Sequence, residues 1–109
     1  MTDREMLKAA ASAAGLVLAD TLPGYPLWID GLGLWNPLTD DGDALRLAVR
    51  LRLQVTPGTY NPEEATAYLS AAAESHERVH FQQDLAAATR RAIVRAAAAM
   101  PAAPAVGAA

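Results

Sequence analysis

The chain has 109 residues, a formal net charge of −3, no cysteine and an apolar fraction of 52% that alanine inflates. That length fits one domain with a single modest core, and the missing thiols exclude a disulfide framework and thiolate metal sites. No run is long and apolar enough to span a membrane, and the charged start Met1-Thr2-Asp3-Arg4-Glu5 lacks a secretory leader pattern, so a cytoplasmic protein is expected.

Thr2-x-x-Glu5 is a capping box that opens a helix over residues 2–14. Met6, Leu7, Ala10, Ala11 and Ala14 recur on one face of it, and Gly15 stands where a left-handed cap ends a helix. Residues 16–19 read as a short buried strand and Pro23-Gly24 as a turn. Residues 27–29 form a second strand, Asp30-Gly31 a tight turn and residues 32–35 a third strand. Asn36-Pro37 is a turn dipeptide. Thr39 or Asp40 caps the next helix, over residues 40–52, with further carboxylates in its positive first turn. Ala44, Leu47, Ala48 and Leu51 share one face of this helix. Arg46 and Arg50 lie one turn apart on another, with Asp43 near Arg46.

Residues 53–56 leave the helix as a strand that Pro57-Gly58 ends. Residues 59–83 support two readings. Asn61-Pro62-Glu63-Glu64 is a helix start by local rules, whereas residues 65–68 suit a strand paired with 53–56. The last helix spans residues 84–99, with Asp84 as its cap. Ile93, Ala97 and Met100 lie on one face, and Arg90, Arg91 and Arg95 on another. Pro101 ends it. Residues 1–100 thus form one domain, and 101–109 an Ala/Pro-rich flexible tail.

Four groups carry candidate chemistry. His76-Glu77-Arg78-Val79-His80 matches H-E-x-x-H. On a helix this spacing sets two imidazoles on one face, with Glu77 placed to act on a zinc-bound water. A third ligand is missing, because Asp84 is the only acid after His80 and is already the cap. The favoured reading is a polar connection entering the last helix, with no cofactor; a zinc-dependent hydrolase using His76, Glu77 and His80 is the alternative. Asp40, Asp41 and Asp43 could hold a divalent ion with Asn36 and Thr39, but helix-start acids already have a structural reason.

Arg90, Arg91 and Arg95 form a third group. They offer a basic face for phosphate, with Arg46, Arg50 and Arg52 as further members. The charge is uneven: Asp3, Glu5, Asp20, Asp30, Asp40, Asp41 and Asp43 lie in the first 45 residues. Pairing with those acids, or a solvated face where each arginine contributes about 0.5 kcal/mol or less, is favoured over nucleic-acid binding. The aromatics are the fourth group. Trp35 beside its turn reads as a core anchor, while an exposed Trp28 would mark a partner surface.

Two blocks place the chain in a lineage. One is Trp35-Asn36-Pro37-Leu38-Thr39-Asp40-Asp41-Gly42-Asp43-Ala44-Leu45-Arg46-Leu47-Ala48. The other is Ala87-Ala88-Thr89-Arg90-Arg91-Ala92-Ile93-Val94-Arg95-Ala96-Ala97-Ala98. With the start Thr2-Asp3-Arg4-Glu5-Met6-Leu7 and Ala13-Ala14-Gly15, they resemble small bacteriophage and prophage proteins of the phage ABA sandwich type. The resemblance implies an α+β fold, an α-β-α sandwich with helices on both sides of a small antiparallel sheet. It implies no reaction. Residues 57–83 depart from the pattern, since alanine-rich sequence stands where later strands belong. The resulting expectation is a non-catalytic accessory protein in the host cytoplasm, binding a host or phage protein in an anti-defence or regulatory role. Arg90, Arg91, Arg95 and Trp28 are its candidate contact residues.

Overall fold

Local rules set the helices in the computed structural model, which describes residues 2–19, 24, 26–57, 64–69, 76–80 and 85–103. Helix α1 runs Asp3–Ala13. The Glu5 N–H donates to Thr2 Oγ1 at 3.1 Å, and the Thr2 hydroxyl donates to the Glu5 carboxylate at 3.0 Å. Half of the capping box thus forms as read, and the carboxylate takes the hydroxyl. The end of α1 is a Schellman turn. The Leu16 N–H donates to the Ala11 carbonyl and the Gly15 N–H to the Ser12 carbonyl, with Gly15 at φ +71°.

Val17 and Leu18 then run alongside β1 (Trp28–Ile29), which pairs antiparallel with β2 (Gly33–Leu34). The Asp30 N–H donates to the Val17 carbonyl and the Ala19 N–H to the Trp28 carbonyl, and Leu18 bridges Ile29. The expected strand over residues 16–19 shortens to this one bridge. The turn between β1 and β2 closes from the Leu32 N–H to the Ile29 carbonyl, with Gly31 at φ +84°. A side chain with a Cβ would be strained there. Gly24 lies in a turn, while Pro23 lies outside the described residues.

Helix α2 spans Asp41–Leu51 and is capped by Asp40, whose carboxylate accepts the Asp43 N–H at 2.8 Å. Ahead of it, Asn36 organises the turn. Its side-chain oxygen accepts the Leu38 N–H, and its carbonyl accepts the Thr39 and Asp40 N–H groups. Pro37 is fully buried in this turn, and Trp35 is 5% exposed. Asp43 then ties turn to helix, accepting the Asn36 N–H at 2.9 Å and pairing with Arg46 at 2.8 Å. Helix α2 ends on Arg52 in the left-handed region, and the chain reverses into β3 (Leu53–Pro57).

Of residues 59–83, the described parts, 64–69 and 76–80, are strands. β4 (Glu64–Leu69) pairs antiparallel with β3, and β5 (His76–His80) with β4. The sheet order is β3-β4-β5. The expected polar connection at His76–His80 is therefore a strand. Residues 61–63, where a helix start was read, lie outside the described residues. So does Asp84, the expected cap of helix α3 (Leu85–Ala98).

Leu53 and Val55 pack against the main core while Gln54 is exposed. Odd-numbered positions of β3 therefore turn toward the helices. Helix α3 lies across β3, β4 and β5, α2 meets both α3 and β3, and α1 packs along α3. The fold is α+β. Its core joins Met6, Leu7 and Ala10 of α1, Leu27, Ile29 and Trp35 of the hairpin, Leu47 of α2, and Ala92, Ile93 and Val94 of α3. Alanine dominates the helix seams. Ala10, Ala11, Ala92 and Ala97 are 0% exposed, and their small side chains let the helices approach closely. The tail is not free from Pro101 onward, because the Ala103 N–H donates to the Ser12 carbonyl at 3.0 Å. Residues 104–109 lie outside the described residues.

Candidate functional site

The hairpin places its residues by the strand alternation. Leu27, Ile29 and Trp35 face inward and are buried. Their neighbours face out. Trp28 is 47% exposed and lies directly opposite Leu34, which is 64% exposed. Val17, on the segment beside β1, and Leu32, at the turn, are exposed as well. Four large apolar side chains in and beside one small hairpin are thus exposed, two of them direct cross-strand partners. Gly33 shapes this surface. A Cβ there would meet the six-membered ring of Trp28 at 3.9 Å, an ordinary contact distance, so the ring is close enough for a side chain at position 33 to touch it. Gly33 is at φ +94°, a conformation that L residues rarely adopt. The expected contact residue Trp28 is therefore presented to solvent, with three apolar companions that sequence reading passed over. The missed signal was the alternation itself: once Leu27 and Ile29 face in, Trp28 faces out, and Leu34 follows across the pair.

No family model, curated protein or solved structure matches this chain. The functional reading therefore rests on its own surfaces.

The arginine face is largely consumed by the fold. Arg90 Nε donates to the Leu38 carbonyl at 2.8 Å, and its Nη1 pairs with Asp41 at 2.6 Å. Its side chain is only 17% exposed. Arg91 pairs with both carboxylate oxygens of Asp3, at 3.1 and 3.2 Å. Arg50 Nε donates to the Ala14 carbonyl at the end of α1. Arg95 is exposed. Arg90 and Arg91 are thus cross-chain ties from α3 to the acidic first half. The expectation of a plain solvated face, with about 0.5 kcal/mol per arginine, fails for Arg90, which serves a part-buried carbonyl.

The acids at the start of α2 each have a protein partner: Asp40 the Asp43 N–H, Asp41 Arg90, and Asp43 both Asn36 and Arg46. Among the described residues no group of three His, Cys, Asp or Glu side chains is placed to hold a metal. The H-E-x-x-H segment lies on β5. Strand rise of about 3.3 Å per residue separates the His76 and His80 Cα atoms by about 13 Å and puts position 77 on the opposite face. The one-turn helical spacing that the zinc alternative needs is absent from this segment.

A second surface lies between α2, β3 and α3. An open cleft of about 570 Å³ is lined by Leu45, Ala48, Val55 and Ile93, with the Asp41–Arg90 pair at its rim. Leu45 of its lining is exposed. Asp41, Thr89 and Arg90 are the polar members of its otherwise apolar lining.

Proposed function

We propose that this chain is a phage- or prophage-encoded accessory protein that works without catalysis, by binding a host or phage protein in the host cell. The observation that carries the reading is the outer side of the hairpin. The cross-strand partners Trp28 and Leu34 are both exposed, and Val17 and Leu32 of the same hairpin region are exposed as well, more large apolar side chains than one small hairpin needs to leave in water. Tryptophan is also the side chain most often found at the energetic centre of an interface. An anti-defence or regulatory role is the form such binding takes in this proposal, and it leans on the resemblance to small phage proteins. The three-layer sandwich implied by that resemblance would need a helix on the sheet face that carries Gln54. The described helices pack on the other face, so the proposal rests on the α+β fold and the hairpin. No described helix is long and apolar enough to cross a membrane.

The test compares tagged wild type with a Trp28→Ser/Leu34→Ser variant, purified from phage-infected or lysogenic cells. The variant should keep its circular dichroism spectrum and melting temperature while losing a stoichiometric partner that wild type retains. An identical set of co-purifying proteins for the two would overturn the assignment of the hairpin.

A further inference from the structure

Helix α1 is held unevenly along its length. Its first half buries Met6 and Leu7, and Asp3 at its start pairs with Arg91 of α3. Its second half buries only alanine, at positions 10, 11 and 13, with Ala14 just beyond. A methyl group covers little area, so packing stabilises that half weakly. The last turn also has no basic residue of its own against the negative end of the helix dipole. Two groups from distant parts of the chain supply what is missing. Arg50 of α2 donates from Nε to the Ala14 carbonyl, and the Ala103 N–H donates to the Ser12 carbonyl at 3.0 Å. The Ser12 oxygen also accepts the Gly15 N–H, so both of its lone pairs are used. Gly15 marks the point where the three parts of the chain meet. A Cβ there would stand 3.5 Å from the Ala103 Cβ and 3.8 Å from Arg50 Nη2. The chain reaches this point from α3 through Pro101 and Ala102, which are both exposed.

We infer that Arg50 and the segment 101–103 form a two-armed clasp on α1, whose release lets the second half of the helix open while α2 and α3 stay folded. Local opening starts where buried apolar contact is smallest, and the clasp sits on that half. The consequence reaches beyond α1. Its end runs directly into Leu16, Val17 and Leu18, and this segment is tied to β1. The Val17 carbonyl accepts the Asp30 N–H, and the Trp28 carbonyl accepts the Ala19 N–H. Opening therefore passes from the segment after α3, through the end of α1, to the backbone beside Trp28. While Ala103 stays on Ser12, Val17 and Trp28 keep their relative positions. Control of partner binding by the clasp rests on the hairpin reading proposed above. The opening itself does not, and the experiment measures the opening alone.

Native-state hydrogen exchange of the full chain, followed amide by amide by NMR, tests the clasp. In the wild type the Ala14 and Leu16 amides are bonded to the Ala10 and Ala11 carbonyls. They should exchange at least about tenfold faster than amides inside α3, as a locally opening segment does. Ala103→Pro removes the donor to Ser12 and should speed exchange at Ala14 and Leu16 about fivefold, the weight of one hydrogen bond. Arg50→Met keeps the stem, removes the guanidinium and should speed it about tenfold or more. The Ala19 and Asp30 amides should follow in both variants, and amides inside α3 should stay within about twofold of wild type. Ala103→Ser keeps the N–H and should match wild type, as should Arg95→Ala on the exposed side of α3. If Arg50→Met fails to fold, Ala103→Pro carries the test. The inference is overturned if Ala14 and Leu16 exchange no faster than α3 in the wild type. It is equally overturned if Ala103→Pro leaves them unchanged, or if the variants speed α3 by the same factor. None of these results touches the hairpin reading, which the co-purification comparison tests separately.

Discussion

The two sides of the β1–β2 hairpin carry similar side chains to opposite ends. On the inner side, Leu27, Ile29 and Trp35 are nearly inaccessible, and on the outer side Trp28 and Leu34 stand in solvent. The two tryptophans are seven residues apart in sequence. Composition makes no distinction between them, and hydrophobicity alone would bury both. The difference lies in the pairing register and in what stands behind each side. Trp35 is followed by the buried Pro37 turn and joins Leu47 of α2 in the core, whereas Trp28 lies opposite the exposed Leu34 and outside that core. The inner side stabilises the fold, and the outer side is free for a task that stability does not require.

Substitutions can break this contrast. Trp35→Ala should have the largest effect, about 3–5 kcal/mol as for buried large aromatics, enough to unfold a small domain or nearly so. Chemical denaturation would measure it, and a loss below 1 kcal/mol would remove Trp35 from the core. Ala92→Leu tests the helix seam. Ala92 is fully buried among neighbours of α1 and α3, and overpacking there should cost about 1–3 kcal/mol. A neutral result would mean that the alanine seam holds spare volume.

The arginines of α3 extend the comparison to residues of one type. Arg90→Ala removes a bond to the Leu38 carbonyl and the ion pair with Asp41, and should cost about 1–2 kcal/mol. Arg95→Ala should cost about 0.5 kcal/mol or less, as an exposed substitution does. Equal melting temperatures for the two variants would dissolve the distinction. Trp28→Ala closes the series with a stability change within about 0.5 kcal/mol. A large loss would show that the indole supports the hairpin, and would weaken its reading as a contact residue.

Much of the helical part was legible because its signals are local. Thr2, Gly15, Asp40 and the apolar stripe of α2 act within a few residues of themselves, and all stand where their chemistry puts them. The burial of Trp35 followed from a turn next to it. The sheet was harder to read. Alanine in β4 is weakly specified by propensity, and its partners lie beyond the local window, in β3 and β5. The resemblance of His76–His80 to a helical zinc motif masked a plain period of two. Arg90 could not be placed from sequence, because its partners Leu38 and Asp41 are about fifty residues away and depend on the fold itself. The candidate contact surface was legible at one residue, Trp28. Its companions needed the register.

The seam between α1 and α3 has a consequence in time. Helix α1 is short, and an isolated helix of its length is marginal in water. Its apolar stripe is buried against α3, and Asp3 is held by Arg91 and Ser12 by Ala103. A ribosome adding roughly 5–20 residues per second completes α3 several seconds after α1 has been made. During that interval Met6 and Leu7 have no cover from α3. A helix made ahead of its cover is sealed late, and the nascent chain exposes the hydrophobic stripe of α1 to chaperones or proteases until α3 closes over it.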